Sequence, residues 1–202
     1  MAPDLNATST FGLVERVRAG DEAAFTALFQ KYSGRLAVLI RYKLSAEMRG
    51  RFDVEDLLQE TFFYASRHLA DFSYQRPGSF MSWLARIADH TIVDAVRRRQ
   101  RLKRSPEVPA RPQAGGEMPA AEPVDPTTPS RILARKEKYE QAVAILDRLP
   151  DDYRTVILLA KLEGLSSQEI ADRMGRTRAA VAVLLHRATQ QLRKQSEAGQ
   201  KP

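Results

Sequence analysis

A proline-rich stretch near the middle of the 202-residue chain most constrains its architecture. Proline fixes φ and removes a backbone donor, and residues 105–130 contain almost no bulky apolar side chain that a core could bury. The prolines of this stretch are Pro106, Pro109, Pro112, Pro119, Pro123, Pro126 and Pro129. We therefore predict an extended, mobile linker at 105–130 between an N-terminal domain, 1–104, and a smaller C-terminal domain, 131–202.

Both predicted domains carry apolar residues at three- and four-residue steps, the spacing of amphipathic helices. One stripe runs from Phe25 to Ile40, the next from Val54 to Ala65, and a third from Leu84 to Ala95. Asp21 is a predicted N-cap for the helix of the first stripe. No segment alternates polar and apolar residues as a half-buried strand would. We therefore predict an all-α fold of two small helical domains.

Composition narrows the class of partner. The net charge of +7 favours an anionic partner, either nucleic acid or a membrane surface. No run of about 18 apolar residues occurs, so we expect no membrane insertion, and residues 1–10 lack the basic and apolar regions of a secretion signal, which favours a cytoplasmic location. Because the chain has no Cys, a disulfide framework, a thiol nucleophile and Cys-ligated zinc are excluded.

An acidic face accompanies the second apolar stripe. Its members are Asp53, Glu55, Asp56, Gln59 and Glu60, and no Lys or Arg lies between Asp53 and Ser66 to relieve their repulsion. Asp53 is suited to cap the helix, and acids near a helix N-terminus suit its dipole, but Glu60 lies beyond that turn. A solvated helix face and a metal or acid/base site are the alternatives to a docking surface for a basic partner.

An aromatic segment and a basic helix follow. Phe72, Tyr74, Phe80 and Trp83 alternate with arginines in a pattern suited to stacking unpaired bases, although core packing is the alternative for several of these rings. A turn at Pro77-Gly78 precedes Ser79, which is a predicted N-cap. The helix from Ser79 ends in a basic run, 97–104, that either binds phosphates or is simply solvated.

The C-terminal domain has the capping and turn residues of a helix-turn-helix. Gly164 can end one helix, and Ser166 with Glu169 forms a capping-box pattern at the start of the next. Gly175 permits a tight turn before a final helix that Thr177 would cap. A helix-turn-helix would place that final helix in a DNA major groove, and a generic three-helix bundle is the alternative.

Together these segments resemble the sigma-70 family of RNA polymerase initiation factors, in particular its small extracytoplasmic-function group. Residues 53–62, DVEDLLQETF, are similar to the family's core-polymerase-binding helix and carry the most specific part of the resemblance. Residues 83–97 resemble the helix that follows, and residues 146–188 resemble the C-terminal DNA-binding domain. The resemblance implies a promoter-specificity subunit with no catalysis of its own, no cofactor and no metal.

The implied partners are core RNA polymerase, double-stranded promoter DNA and the melted non-template strand, and the family also allows an anti-sigma factor. The acidic face would meet a basic coiled coil of polymerase. The N-terminal domain would melt and recognise the −10 element, and the final helix would recognise the −35 element. The linker would let the two domains span both elements; in isolation they would instead fold against each other or an inhibitor, which would hide the basic surfaces.

The resemblance also assigns individual DNA-binding residues. Those for the −10 element are Tyr74, Arg76, Ser79, Trp83, Arg86, His90, Arg97 and Arg98. Those for the −35 element are Arg176, Thr177, Arg178, Ala179, Ala182, Val183, His186 and Arg187. The chain departs from the family at His90, where relatives commonly have Asn, and at 182–184, where they often have polar or basic residues.

Two other classes of protein share parts of this pattern. A stand-alone regulator would use only the helix-turn-helix, and such regulators usually bind symmetric half-sites as dimers. A metal-dependent nuclease would use the acidic helix, but the chain has no phosphate-cradling Gly loop, and His68, His90 and His186 lack the spacing of metal ligands.

Overall fold

The computed structural model describes residues 9–104 and 129–198. Every regular element in these two ranges is helical, which confirms the predicted all-α class. Most of the predicted linker lies outside the described residues. We call residues 9–104 the N-terminal unit and residues 129–198 the C-terminal unit.

The N-terminal unit contains five α-helices: α1 (Thr10–Arg18), α2 (Glu22–Lys43), α3 (Ala46–Arg49), α4 (Val54–Arg67) and α5 (Ser79–Arg104), with a 3-10 turn at Leu69–Asp71. Helix α2 packs against α1, α4 and α5, and α4 packs along α5. The predicted cap of α2 is confirmed, because the Asp21 side chain accepts a hydrogen bond from the Ala24 amide at 3.1 Å. The buried rows of α2, α4 and α5 meet in one apolar core, which holds the acidic face and the aromatic segment in fixed positions.

The C-terminal unit contains α6 (Pro129–Asp147), α7 (Asp151–Ile157), α8 (Ser167–Met174) and α9 (Arg178–Ala198). Helix α7 continues into a π-helical segment, Leu158–Leu162, before Gly164 adopts φ +69° and ends it. Helix α9 packs on both α7 and α8, with Val181 and Ala188 fully buried. This arrangement of α7, α8 and α9 confirms the predicted helix-turn-helix elements.

Helix α6 begins two residues earlier than the predicted boundary of the linker. The sequence prediction placed residues 129 and 130 in the linker, whereas Pro129 is the first residue of α6. Proline is well tolerated at this position because the first amide of a helix has no intrahelical partner.

The two units pack directly against each other. Helix α2 contacts α6 and the π-helical segment, and α5 also contacts that segment. We call this set of inter-unit contacts the closed contact. One of the two arrangements expected for the isolated chain, in which the domains fold against each other, is therefore the one in this structure.

Candidate functional site

The acidic face lies on α4, and the opposite side of that helix is buried in the core. The predicted stripe is confirmed at every position, since Val54, Leu57, Leu58, Thr61, Phe62 and Ala65 are all buried. The Asp53 carboxylate caps the helix and accepts a hydrogen bond from the Glu55 amide at 2.7 Å. Asp53, Asp56 and Gln59 are exposed, so three of the five predicted polymerase-binding residues face solvent.

The other two members of the acidic face are paired with arginines from distant parts of the sequence. Arg98 of α5 donates to both carboxylate oxygens of Glu60, at 2.9 and 3.1 Å. Arg135 of α6 forms an ion pair with Glu55, whose side chain is only 16% exposed. The sequence places Glu55 on a candidate docking surface, whereas in this structure the C-terminal unit covers its side chain.

The Glu55–Arg135 pair is incompletely satisfied. The Arg135 guanidinium also lies over the Phe29 ring, 5.1 Å from its centroid. Glu55 Oε2 and Arg135 Nε are buried and have no hydrogen-bond partner among the described residues. Burial of two charges is costly unless their remaining polar atoms are also paired, so this ion pair contributes little net stability.

The aromatic segment is partly a core element. Phe72 and Phe80 are buried, and Trp83 is half-buried against both, with ring centroids 5.1 and 5.5 Å away. Tyr74 is half-exposed and packs edge-to-face on Phe11 at 5.6 Å. The core interpretation thus holds for Phe72 and Phe80, and Tyr74 and Trp83 are the rings with surface available to a base.

A cleft of about 470 Å³ separates this segment from the C-terminal unit. The predicted −10 residues Arg76, Ser79, Trp83 and Arg86 line one wall, and Glu163, Leu165, Glu169 and Arg173 line the other. Arg76 crosses the cleft and donates to the Gly164 carbonyl at 3.1 Å and to Glu169 at 3.1 Å. In the closed contact, this candidate DNA-binding arginine is therefore held by the helix-turn-helix.

Ser79 begins α5 but does not cap it. Its hydroxyl is buried and has no hydrogen-bond partner among the described residues, so the predicted N-cap is wrong. The Gly78 carbonyl instead accepts from the Ser82 amide at 3.0 Å, and Gly78 has φ +94°. Gly78 therefore takes the cap position, where it has no side chain to accept a hydrogen bond, and Ser79 is the first helical residue.

A second hollow, of about 540 Å³, lies between α4 and α5. Its lining contains Trp83, Arg86 and His90 of the predicted −10 residues, together with Tyr64 and His68. The two histidines are distant in sequence, and only the packing of the helices brings them to one surface. Within the described residues, no group of three or more acids or histidines could hold a metal ion.

The basic end of α5 begins with Arg97 and Arg98, which face different neighbours. Arg97 is 69% exposed and lies 3.9 Å from Asp94, whereas Arg98 is held by Glu60 as described above. Of these two predicted −10 residues, Arg97 is thus available to a phosphate in the closed contact, and Arg98 is engaged by the acidic face.

The turn between α8 and α9 is built as the sequence predicts. Ser166 and Glu169 form a complete capping box, Gly175 adopts φ +62°, and the Thr177 hydroxyl accepts from the Ala180 amide at 3.2 Å. Hydrogen bonds from Ser166 lower the pKa of Glu169, and Arg76 lowers it further. These caps fix the first turn of α9 relative to α8, which is the geometry that a recognition helix needs.

The outer face of α9 is open to solvent. All eight predicted −35 residues are exposed: Arg176, Thr177, Arg178, Ala179, Ala182, Val183, His186 and Arg187. Arg176 pairs with Asp152 of α7 at 2.5 Å, and His186 lies 3.0 Å from the Gln190 amide nitrogen. Leu184, the last of the three positions 182–184 that depart from the family pattern, is buried and belongs to the core.

Several residues that sequence reasoning did not single out hold the closed contact together. Tyr42 donates to Asp147 at 2.7 Å, and burial with this hydrogen bond raises the pKa of Tyr42 well above its usual range. Lys43 lies between Asp89, at 2.8 Å, and Glu163, at 3.4 Å. No local pattern identifies these residues, because their partners come from the other unit or another helix.

Gly164 is the tightest point of the closed contact. Its carbonyl accepts hydrogen bonds from Arg76 and from the Ser82 hydroxyl, the latter at 3.0 Å. A Cβ at position 164 would lie 2.6 Å from the Gly78 carbonyl oxygen and 2.9 Å from Ser82 Oγ. The sequence predicts Gly164 as a helix terminator, but the structure adds a second reason for a glycine, which is close approach of the two backbones.

Each of the two units matches a known protein family model. Residues 28–102 match the family model described as Sigma-70 region 2, and residues 139–192 match Sigma-70, region 4. The chain is 33% identical over 189 residues to the ECF RNA polymerase sigma factor SigE of Mycolicibacterium smegmatis, covering 88% of this chain and 69% of that protein.

Two further relatives are named ECF RNA polymerase sigma-E factor. The one from Haemophilus influenzae is 31% identical over 162 residues, covering 80% of this chain and 82% of that protein. The one from Escherichia coli K12 is 33% identical over 164 residues, covering 79% of each. In the described part of the chain, no helix combines the length and apolar character needed to cross a membrane.

Proposed function

This chain belongs to the sigma-70 family of RNA polymerase sigma factors, in the extracytoplasmic-function group, and on that premise we propose how its surfaces divide the work of transcription initiation. It is a sigma factor that directs promoter-specific initiation. We assign polymerase binding to the acidic face, −10 recognition and melting to the aromatic segment with α5, and −35 recognition to α9. The protein acts in the cytoplasm and performs no catalysis of its own.

The observation that carries this proposal is the acidic face on a helix whose opposite side is entirely buried. Asp53, Asp56 and Gln59 present oxygen atoms to solvent, and the core prevents the helix from turning them inward. In a protein of net charge +7, a cluster of exposed acids supports binding to a basic partner surface by complementary charge. That partner is core RNA polymerase.

Nucleic-acid binding is supported by two separate surfaces. Trp83 and Tyr74 offer partly exposed rings for stacking an unpaired base of the melted non-template strand, beside Arg76 and Arg86. The exposed face of α9, positioned by the Thr177 cap and the turn at Gly175, suits the major groove of duplex promoter DNA. The sequence-based boundaries of these two domains, 1–104 and 131–202, remain our assignment.

We further propose that the closed contact opens before polymerase binds. Glu55 is covered by Arg135 and Arg76 is held by Gly164 and Glu169, so neither can meet a partner in the closed arrangement. The unsatisfied atoms of the Glu55–Arg135 pair mean that opening exposes groups that water can hydrate, which lowers its cost. A partner that binds only the open arrangement shifts the population toward it.

The decisive experiment reverses charge on the acidic face. The double variant Asp56→Arg/Glu60→Arg should no longer co-purify with core polymerase, because two attractive contacts become repulsive. Its control, Glu22→Arg/Glu47→Arg, makes the same change of net charge at exposed positions outside α4. Helical circular dichroism and the melting temperature show whether each variant is folded.

Co-purification that survives the reversal at Asp56 and Glu60 would remove the polymerase-binding assignment. The same purified proteins also test the stand-alone regulator. That class of protein would bind a palindromic duplex in a gel-shift assay without polymerase, and it would do so equally well after the reversal.

A further inference from the structure

We propose that α9 recognises thymine methyl groups in the −35 element through an apolar surface centred on Val183. The proposal rests on the function proposed above and concerns which base feature is recognised there. At this surface the chain would distinguish bases by apolar contact, without a side-chain hydrogen bond.

The exposure of Val183 is a property of the built helix. Its side chain is 51% exposed, while Val181 and Ala188 on the opposite side are fully buried. Helix α9 therefore cannot rotate to bury Val183 without removing its inner row from the core. Ala179, Ala180 and Ala182 are also exposed, so the surface on the N-terminal side of Val183 carries only methyl groups.

The positive charge around this surface favours binding of a polyanion. No Asp or Glu occurs between Asp172 and Glu197, whereas Arg178, Arg187 and Lys194 within that interval are all exposed. Phosphates on either side of a groove would neutralise these cations. An apolar patch that docks on a protein would more often be rimmed by mixed charges, so we commit to duplex DNA.

Only one base presents an apolar group to a side chain in the major groove, and that is thymine through its C5-methyl. Valine has neither a donor nor an acceptor, so it gives no preference for the polar edges of guanine, adenine or cytosine. Val183 lies in the second turn of α9, and residues near the N-terminus of a recognition helix are the ones that contact base edges. Residues three and four positions away on the same face, His186 and Arg187, are placed to contact the backbone or an adjacent base.

The expected size of the effect follows from burial of one methyl group. Each contacted thymine should favour binding about threefold to fivefold over the same base without its methyl. This is smaller than the preference from a bidentate hydrogen-bonded contact, so the −35 preference should be modest at each position and additive over several thymines.

The experiment uses the full-length protein bound to core polymerase and a pool of randomised duplex DNA. Bound sequences are recovered and sequenced, and each thymine of the selected upstream element is then replaced by deoxyuridine, which removes only the methyl. We expect selected thymines and a threefold to fivefold loss of affinity for deoxyuridine at one or two of them. The loss should disappear in Val183→Ala and persist in the control Leu133→Ala, which shortens an exposed apolar residue of α6.

The possible failures are distinguishable. An element selected without thymine, or one indifferent to deoxyuridine, would overturn the inference and leave the sigma-factor assignment in place. A deoxyuridine loss that is unchanged in Val183→Ala would assign the methyl contact elsewhere and also overturn it. If Val183→Ala instead weakened polymerase binding, the surface would be a protein contact. A complex that selects no promoter sequence at all would contradict the proposed function itself.

Discussion

Several candidate residues of the N-terminal unit are paired with other groups of this protein, whereas the outer face of α9 is open to solvent. Glu55, Glu60, Arg76 and Arg98 each have a partner within the chain, and two of these four residues are paired with the opposite unit. On α9, Val183 is exposed next to Ala179, Ala180 and Ala182.

The difference follows from the kind of group that each surface carries. Charged side chains can form ion pairs with one another and exchange them for a partner's charges at small net cost, because both states satisfy the same groups. An exposed apolar face cannot exchange contacts in this way, because it gains a partner within the chain only when it is buried. On the proposed assignment, the closed contact would therefore cover part of the polymerase-binding and −10 surfaces, while α9 would meet DNA in either arrangement.

The largest expected effect comes from breaking the ion pair that covers Glu55 of the acidic face. Arg135→Glu leaves Glu55 beside a like charge at a site where both side chains are about 85% covered, as their exposures of 14% and 16% show. Loss of a buried pair costs about 3 kcal/mol or more, which should raise the open-to-closed ratio roughly a hundredfold. Small-angle X-ray scattering should detect a larger radius of gyration, and polymerase binding should become tighter.

Lys138→Glu is the matched control for that variant. It makes the same charge change on the same helix, at an exposed position with no hydrogen bond or ion pair to the described residues of the N-terminal unit. Its radius of gyration and polymerase affinity should match those of the unmodified protein. An Arg135→Glu protein that stays as compact as this control would show that two like charges at this site do not open the closed contact.

A smaller effect is expected from two glycine substitutions, which together distinguish backbone strain from a clash between the two units. Gly164→Ala and Gly175→Ala both place Ala at a positive φ, +69° and +62°, which costs about 1 kcal/mol of stability in each case. Only at 164 would the new Cβ meet the other unit, 2.6 Å from the Gly78 carbonyl oxygen, because position 175 has open space around it. Both melting temperatures should therefore fall, but only Gly164→Ala should speed amide exchange in the residues of the closed contact. Equal exchange in the two variants would contradict the close approach.

The smallest effect concerns the helix-turn-helix alone. Ser166→Ala removes one side of the capping box and should destabilise the C-terminal unit by about 1 kcal/mol. Capping lowers the pKa of Glu169 from its usual value of 4.5, so the stabilisation is complete above that pH and is lost as the pH falls through the lowered pKa. The difference in melting temperature between the two proteins should therefore narrow below about pH 4.5.

Thr177→Ala provides the comparison for that pH dependence. The Thr177 hydroxyl caps α9 through the Ala180 amide, and no carboxylate takes part in that cap. At neutral pH, Thr177→Ala should lower the stability of the C-terminal unit about as much as Ser166→Ala does. This loss of stability should not change near pH 4.5. If both variants showed the same pH dependence, Glu169 would not be its source.

Local features of the sequence were sufficient for most of the fold. The apolar row of α4 was predicted at every position, and so were the caps at Asp21, Asp53 and Thr177 and the capping box of α8. These features depend on groups within about four residues of each other, and helical geometry fixes which of them meet. The predicted cap at Ser79 is wrong by one residue. The sequence did not reveal that Gly78 would adopt a left-handed conformation directly before the helix.

The sequence by itself determined the helices and the family, and it predicted two units and the residues of each candidate surface. Only the tertiary structure decided which of those residues are free, because pairs such as Glu55 with Arg135 and Arg76 with Gly164 join positions 80 and 88 residues apart. Contacts at that separation depend on how the units pack, and no local spacing encodes them. The exposed Val183 was decided in the same way, since only the burial of Val181 and Ala188 fixes which face of α9 points outward.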